Sequence, residues 1–278
     1  MNKARLTALC HKISKETGLT FNSVMLYYFL ESILKKLVQG KYGGHLVFKG
    51  GFLLSNVVGI ESRSTMDIDF LLEKIQVSEE KVLELLTESL KEKEGDEIQY
   101  EIMNISPIKE QDQYKGYRAS VLCRFENIRQ VVPLDVATGD VITPHPIQYS
   151  FASFFGNDEI LIKAYPIETM LAEKLQTIYA RGFLNSRNKD YYDLHILYRL
   201  RSKDIDMSTL ARACVRTFHS RKTEFNVVKI QELLERLIRD DSFLNRWNAY
   251  TKKNSYVQGI SFETVILDAM KLINEIVM

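Results

Sequence analysis

An α+β fold, with a mixed sheet in an N-terminal lobe and an all-helical C-terminal lobe, is predicted by three observations. Strand-like alternation of apolar residues is confined to the first half of the 278-residue chain. It is interleaved there with helical segments. From about residue 159 onward the apolar spacing is that of helices alone.

The elements follow in order. Residues 1–18 carry Leu6, Leu9, Cys10 and Ile13 on one side of a helix. Thr20 or Asn22 is placed to cap a second, VMLYYFLESILKKLVQG, which Gly40 ends. KYGG turns the chain into a short strand, HLVFKGG, and GFLLSNVVG starts a helix at those glycines. After the polar stretch IESRST comes a strand, MDIDFLLEKI. Ser78 opens the charged amphipathic helix SEEKVLELLTESLKEK. Alternation then marks strands in EIQYEIMNISPI, YKGYRASVLCRFEN and IRQVVPLDVATGD. VITPHPIQYSFASFFGND, with Pro144 and Pro146, reads as a connector. The lobes are therefore expected to join near residues 143–160, dividing the chain into 1–150 and 151–278.

Composition narrows the function. Lysine plus arginine total 37 against 36 for aspartate plus glutamate, so global charge does not argue for a nucleic-acid coat. Cys10, Cys123 and Cys214 are widely spaced, which excludes a CxxC zinc site and fits a reducing, cytoplasmic setting. No run of eighteen uncharged apolar residues occurs, so no membrane role is expected. The five histidines form neither HExxH nor HxH, and there is no GxSxG or GxxxxGK[ST].

The chemistry-bearing stretch is FKGGFLLSNVVGIESRSTMDIDFL. On a strand, residues two apart share a face, so Asp67 and Asp69 lie on one side and Met66, Ile68 and Phe70 on the other. Neighbouring carboxylates repel unless a cation sits between them, and oxygen-only donors suit Mg²⁺ with substrate phosphates. The polar face of an edge strand is the plain alternative. Lys49, Gly50 and Gly51 precede a helix, where glycines let backbone N–H groups approach a phosphate. Arg63 and Ser64 offer a cation and a hydroxyl just before the acids. Asp135, among valines in VVPLDVA, needs a partner or a task, with a structural ion pair as the other reading. In the second half, Lys174 sits on an apolar stripe with Leu171, Leu175 and Ile178, and Asp190 and Asp193 lie one turn apart on a helix. Solvent-directed lysine and a helix-start acid are the alternatives for these. Tyr191, Tyr192 and Trp247 read as core aromatics, with base stacking as an alternative for the tyrosines. Arg212, Arg216, Arg221 and Lys222 form a basic cluster, by default a solvated face and otherwise a contact for RNA backbone.

Taken together, KGGFLLSNVVGIESRSTMDIDFLL and the later EKL and KDYYD resemble the AbiEii/AbiGii toxin family of nucleotidyltransferases, which includes the MenT toxins. Two departures stand out. Serine follows arginine directly in RSTMDIDF, and Phe52 occupies the place of a small residue, leaving backbone donors for phosphate there. The resemblance implies a DNA polymerase β-like nucleotidyltransferase lobe and a helical second lobe. It implies a Mg²⁺-dependent transfer of NMP from an NTP to an acceptor, a tRNA 3′ end, with Asp67, Asp69 and Asp135 at the metal. Lys49, Gly50, Gly51, Arg63 and Ser64 would hold the nucleotide. Lys174 would meet the triphosphate, oriented with the sugar or acceptor by Asp190 and Asp193. It also implies a toxin of abortive phage infection, paired with an antitoxin that need not touch it. Modification of a small molecule or a protein, or nucleotide binding without catalysis, are the competing functions.

Overall fold

The computed structural model describes residues 1–108 and 116–277. Its contacts divide the chain into two compact units, residues 1–140 with 147–164, and residues 141–146 with 165–278.

In the first unit, α1 (Lys3–Thr17) is capped by the Asn2 side chain and α2 (Phe21–Gln39) by Thr20, whose hydroxyl oxygen accepts from the Ser23 N–H at 3.1 Å. The short strand β1 (Leu46–Lys49) runs straight into α3 (Gly50–Val58), and β2 (Ile68–Leu72) follows a loop. Ser78 caps α4 (Glu79–Leu90), and β3 (Gln99–Pro107), β4 (Gly116–Phe125) and β5 (Ile128–Ala137) form an antiparallel meander. Tyr114 and Lys115, expected to open the second meander strand, lie outside the described residues. Residues 147–164 correct the sequence reading: instead of a connector running into a helix they form the antiparallel pair β6 (Ile147–Ala152) and β7 (Glu159–Ala164).

The seven strands make one mixed sheet in the order β3-β4-β5-β2-β1-β7-β6. β1 runs antiparallel to β2 and parallel to β7, while β2 runs parallel to β5. Pro133 stands one residue before the stretch of β5 that pairs with β2, so its missing N–H falls outside that ladder. The core between sheet and helices is aromatic. Phe52 meets Phe48, Phe151 and Tyr27 with ring centroids 5.6, 5.2 and 5.5 Å apart. The bulky residue after the glycine pair thus points into the core.

The second unit is helical: α5 (Ile167–Arg181), α6 (Asn188–Arg201), α7 (Met207–Ser220), α8 (Val227–Ile238), α9 (Asp241–Lys253) and α10 (Phe262–Val277). Trp247 is buried and its indole N–H donates to the Ile260 carbonyl at 2.8 Å. Tyr191 packs edge-on against Phe243 and Phe262. Both Tyr191 and Tyr192 are buried, so neither offers a face to a base. Among the described residues no helix is long and apolar enough to cross a membrane.

Candidate active site

Strand register assembles the first group of site residues. Arg118 on β4 stands opposite Asp135 on β5, Asp135 is level with Asp69 on β2, and Asp69 is level with Lys49 on β1. Four adjacent strands therefore carry a row of charges, cation–acid–acid–cation, at spacings of about 4.8 Å. Like charges facing each other across a strand pair are unfavourable, and the flanking cations offset this. Arg118 meets Asp135 with both forks, Nε to Oδ1 and Nη2 to Oδ2, each at 2.7 Å. Those hydrogen bonds raise the guanidinium pKa, and the charges of Asp135, Asp67 and Asp69 act in the same direction. At the other end Lys49 is ion-paired with Asp140, which is almost fully buried.

Asp67 lies just before β2, and the Thr65 hydroxyl donates to its Oδ1 at 2.7 Å. The strand pattern did not reach back as far as expected: Met66 is 73% exposed, while Ile68 and Phe70 are fully buried. The loop carrying Thr65 is held from below. The buried Tyr27 hydroxyl accepts from the Thr65 N–H at 3.0 Å and donates to the Arg63 carbonyl at 3.4 Å. Removing that hydroxyl in Tyr27→Phe should lower stability by about 1–3 kcal/mol, because a buried donor loses its partner. Chemical denaturation measures this, and an unchanged midpoint would refute it.

The glycines lie against the acids. A Cβ built on Gly50 would fall 2.0 Å from Asp69 Oδ2, and one on Gly51 would fall 2.6 Å from Thr65 Oγ1. Gly50 also has φ +75°. The Asp69 carboxylate thus rests on the N-terminus of α3, where free N–H groups and the helix dipole favour negative charge. Arg63, expected to offer a cation beside the acids, is only 4% exposed, and its guanidinium lies 3.7 Å from the built Gly51 Cβ. It donates to the Ser64 carbonyl.

Asp67 and Asp69 supply only oxygens and remain partly accessible, which fits Mg²⁺ held by one or two carboxylates plus phosphates. Asp135 has both oxygens engaged by Arg118. Among the described residues no three His, Cys, Asp or Glu side chains form a metal-holding group.

The helical unit assembles the second group. Lys174 leaves the apolar stripe of α5 and its Nζ lies 3.3 Å from Asp190 Oδ1 and 2.5 Å from Asp193 Oδ2. Both acids are almost fully buried, and Arg187 Nε donates to Asp190 Oδ2 at 2.8 Å. Arg221, read as part of a basic face, turns inward to Glu173, Gln176 and Thr177. Arg118, Thr65, Tyr27 and Asp140 were not singled out from the sequence. Their roles depend on cross-strand register and loop closure, which leave no mark in local spacing.

Comparison with known proteins matches residues 32–266 to the family described as nucleotidyl transferase AbiEii toxin, type IV TA system. No curated protein matches. The fold is similar to the crystal structure of an H. pylori protein assigned as a nucleotidyltransferase, at 15% identity and TM-score 0.57, covering 93% of this chain and 96% of that one. It is also similar to JHP933 from Helicobacter pylori, at 15% identity and TM-score 0.53, covering 92% of this chain and 90% of that one.

Proposed function

The chain belongs to the AbiEii family of nucleotidyltransferase toxins from type IV toxin–antitoxin systems, and on that premise we propose that it uses Mg²⁺ to transfer NMP from an NTP to the 3′ end of a tRNA. The observation that most supports this is the juxtaposition of Asp69 and Asp135 in one register row with the Gly50–Gly51 start of α3. Like-charged neighbours beside a glycine-surfaced helix N-terminus suit a cation and a polyphosphate together.

Asp67 and Asp69 would hold the ion. Held there, it would offset negative charge developing at the α-phosphorus. Lys49 and the N–H groups of Gly50 and Gly51 are assigned to the triphosphate, with Arg63 and Ser64 shaping the loop beside it. Asp135 completes the metal site or accepts the proton of the attacking hydroxyl. For Lys174 we retain the role its resemblance implies, contact with the triphosphate or departing pyrophosphate, with Asp190 and Asp193 fixing its ammonium. The reaction runs in the cytoplasm, where NTP and tRNA meet, and the paired antitoxin need not bind the toxin to act.

The test incubates the protein with each α-labelled NTP and, separately, total RNA, total protein and small metabolites. Label at RNA 3′ ends, sequenced to tRNA, is expected. Label only in protein or metabolites would overturn the RNA acceptor, and equal transfer after chelation of divalent ions would overturn the metal.

A further inference from the structure

We propose that Arg118 is an exchangeable internal counter-ion: it occupies the cation position beside Asp135, Asp69 and Asp67 in the resting chain and withdraws when a divalent cation binds, so that Asp135 becomes a ligand only then. This rests on the metal-dependent reading above and adds a positioning residue to it.

The row Arg118–Asp135–Asp69–Lys49 has one member built to move. Asp135 and Asp69 are fixed by their strands, and both oxygens of Asp135 are committed to the guanidinium at 2.7 Å. While the fork is in place each oxygen has a lone pair committed to the guanidinium, whose positive charge also disfavours a second cation there. The Arg118 side chain is 51% exposed whereas that of Asp135 is 13% exposed. Withdrawing the guanidinium therefore moves it into water, and the arriving ion takes over as counter-charge to the largely buried Asp135. Arg63, the other nearby guanidinium, is buried and packed beside Gly51, and Lys49 is paired to Asp140, so neither can vacate its place as readily. The fork is open to water on the arginine side, while Mg²⁺ among carboxylates and phosphates carries twice the charge at shorter range. Exchange consequently favours the ion once nucleotide phosphates add their oxygens. Until then the guanidinium keeps the like-charged acids from repelling one another.

The experiment is Mn²⁺ binding by electron paramagnetic resonance, without nucleotide, to the full chain, to the Arg118→Gln, Arg118→Lys, Asp135→Asn and Asp69→Asn variants, and to the double variant Arg118→Gln with Asp135→Asn. Arg118→Gln should bind Mn²⁺ about three- to fivefold more tightly, the worth of an exposed bidentate pair. Arg118→Lys, which keeps the charge and loses the fork, should fall between it and the wild type. In the Asp135→Asn background the gain from Arg118→Gln should shrink, because the released oxygens are no longer there. Circular dichroism checks that the half-exposed substitutions leave the fold intact. Equal or weaker Mn²⁺ binding by Arg118→Gln, with wild-type binding still dependent on Asp69, would overturn the exchange and leave the metal site standing. Absence of Asp69-dependent binding in every variant would overturn both, so the two failures are distinguishable.

Discussion

Asp69→Asn is expected to reduce nucleotidyl transfer by about a thousandfold while leaving the protein folded, because in the proposed reaction several kcal/mol of transition-state charge stabilisation depend on an oxygen that the amide replaces with a donor. The asparagine keeps the shape that rests against Gly50. It also removes a negative charge facing Asp135 in register, which relieves a repulsion between adjacent strands. The lost interaction with the α3 N-terminus opposes that relief. The two effects are similar in size, so the melting temperature should move by no more than about 3 °C. Transfer of labelled NMP and thermal melting, measured on one preparation, check the two halves of the expectation. Full transfer activity would remove Asp69 from the reaction, and gross loss of folding would make it structural.

Gly50→Ala should injure both properties. An L side chain at φ +75° carries about 1–2 kcal/mol of backbone strain. The new methyl would also land 2.0 Å from Asp69 Oδ2. Neither strand can yield easily, since Lys49 and Asp69 are paired in the antiparallel register of β1 and β2. The carboxylate must therefore swing away from the start of α3, or α3 must shift off its aromatic core. Stability should drop by about 2–3 kcal/mol, from strain together with imperfectly relieved overlap. Transfer activity should fall nearly as far as in Asp69→Asn, because the acid is displaced even though it is still present. Denaturant unfolding and the labelled-NTP assay measure these. A variant with native stability would show that the Asp69 side chain does not rest on this glycine.

The two variants separate identity from position. Asp69→Asn changes the chemistry of a group and leaves its place. Gly50→Ala changes the place and leaves the group. Tyr27→Phe acts one layer further down, through the loop that presents Thr65 to Asp67.

Much of this was legible in the chain. The glycine turn into α3 and the strand positions of Asp69 and Asp135 were legible locally, because strand period and glycine placement are short-range properties, whereas Asp67 falls just before β2. Helix starts at Thr20 and Ser78 were legible for the same reason, as side-chain caps act within three residues. The pair β6 and β7 was not. In EILIKA, exposed Leu161 sits between buried Ile160 and Ile162 and erases the apolar alternation, and in IQYSFA only Phe151 is buried. Their strand conformation comes from pairing with each other and, for β7, with β1.

By itself, then, the amino-acid order determined the α+β class, the helical C-terminal region and the family, and it singled out the acids proposed for the chemistry. Tertiary structure alone decided which cations face those acids. Arg118 meets Asp135 across 17 positions and Lys49 meets Asp140 across 91. Such pairings are set by strand register and loop closure, and nothing in the residues between them encodes which charge will stand opposite which.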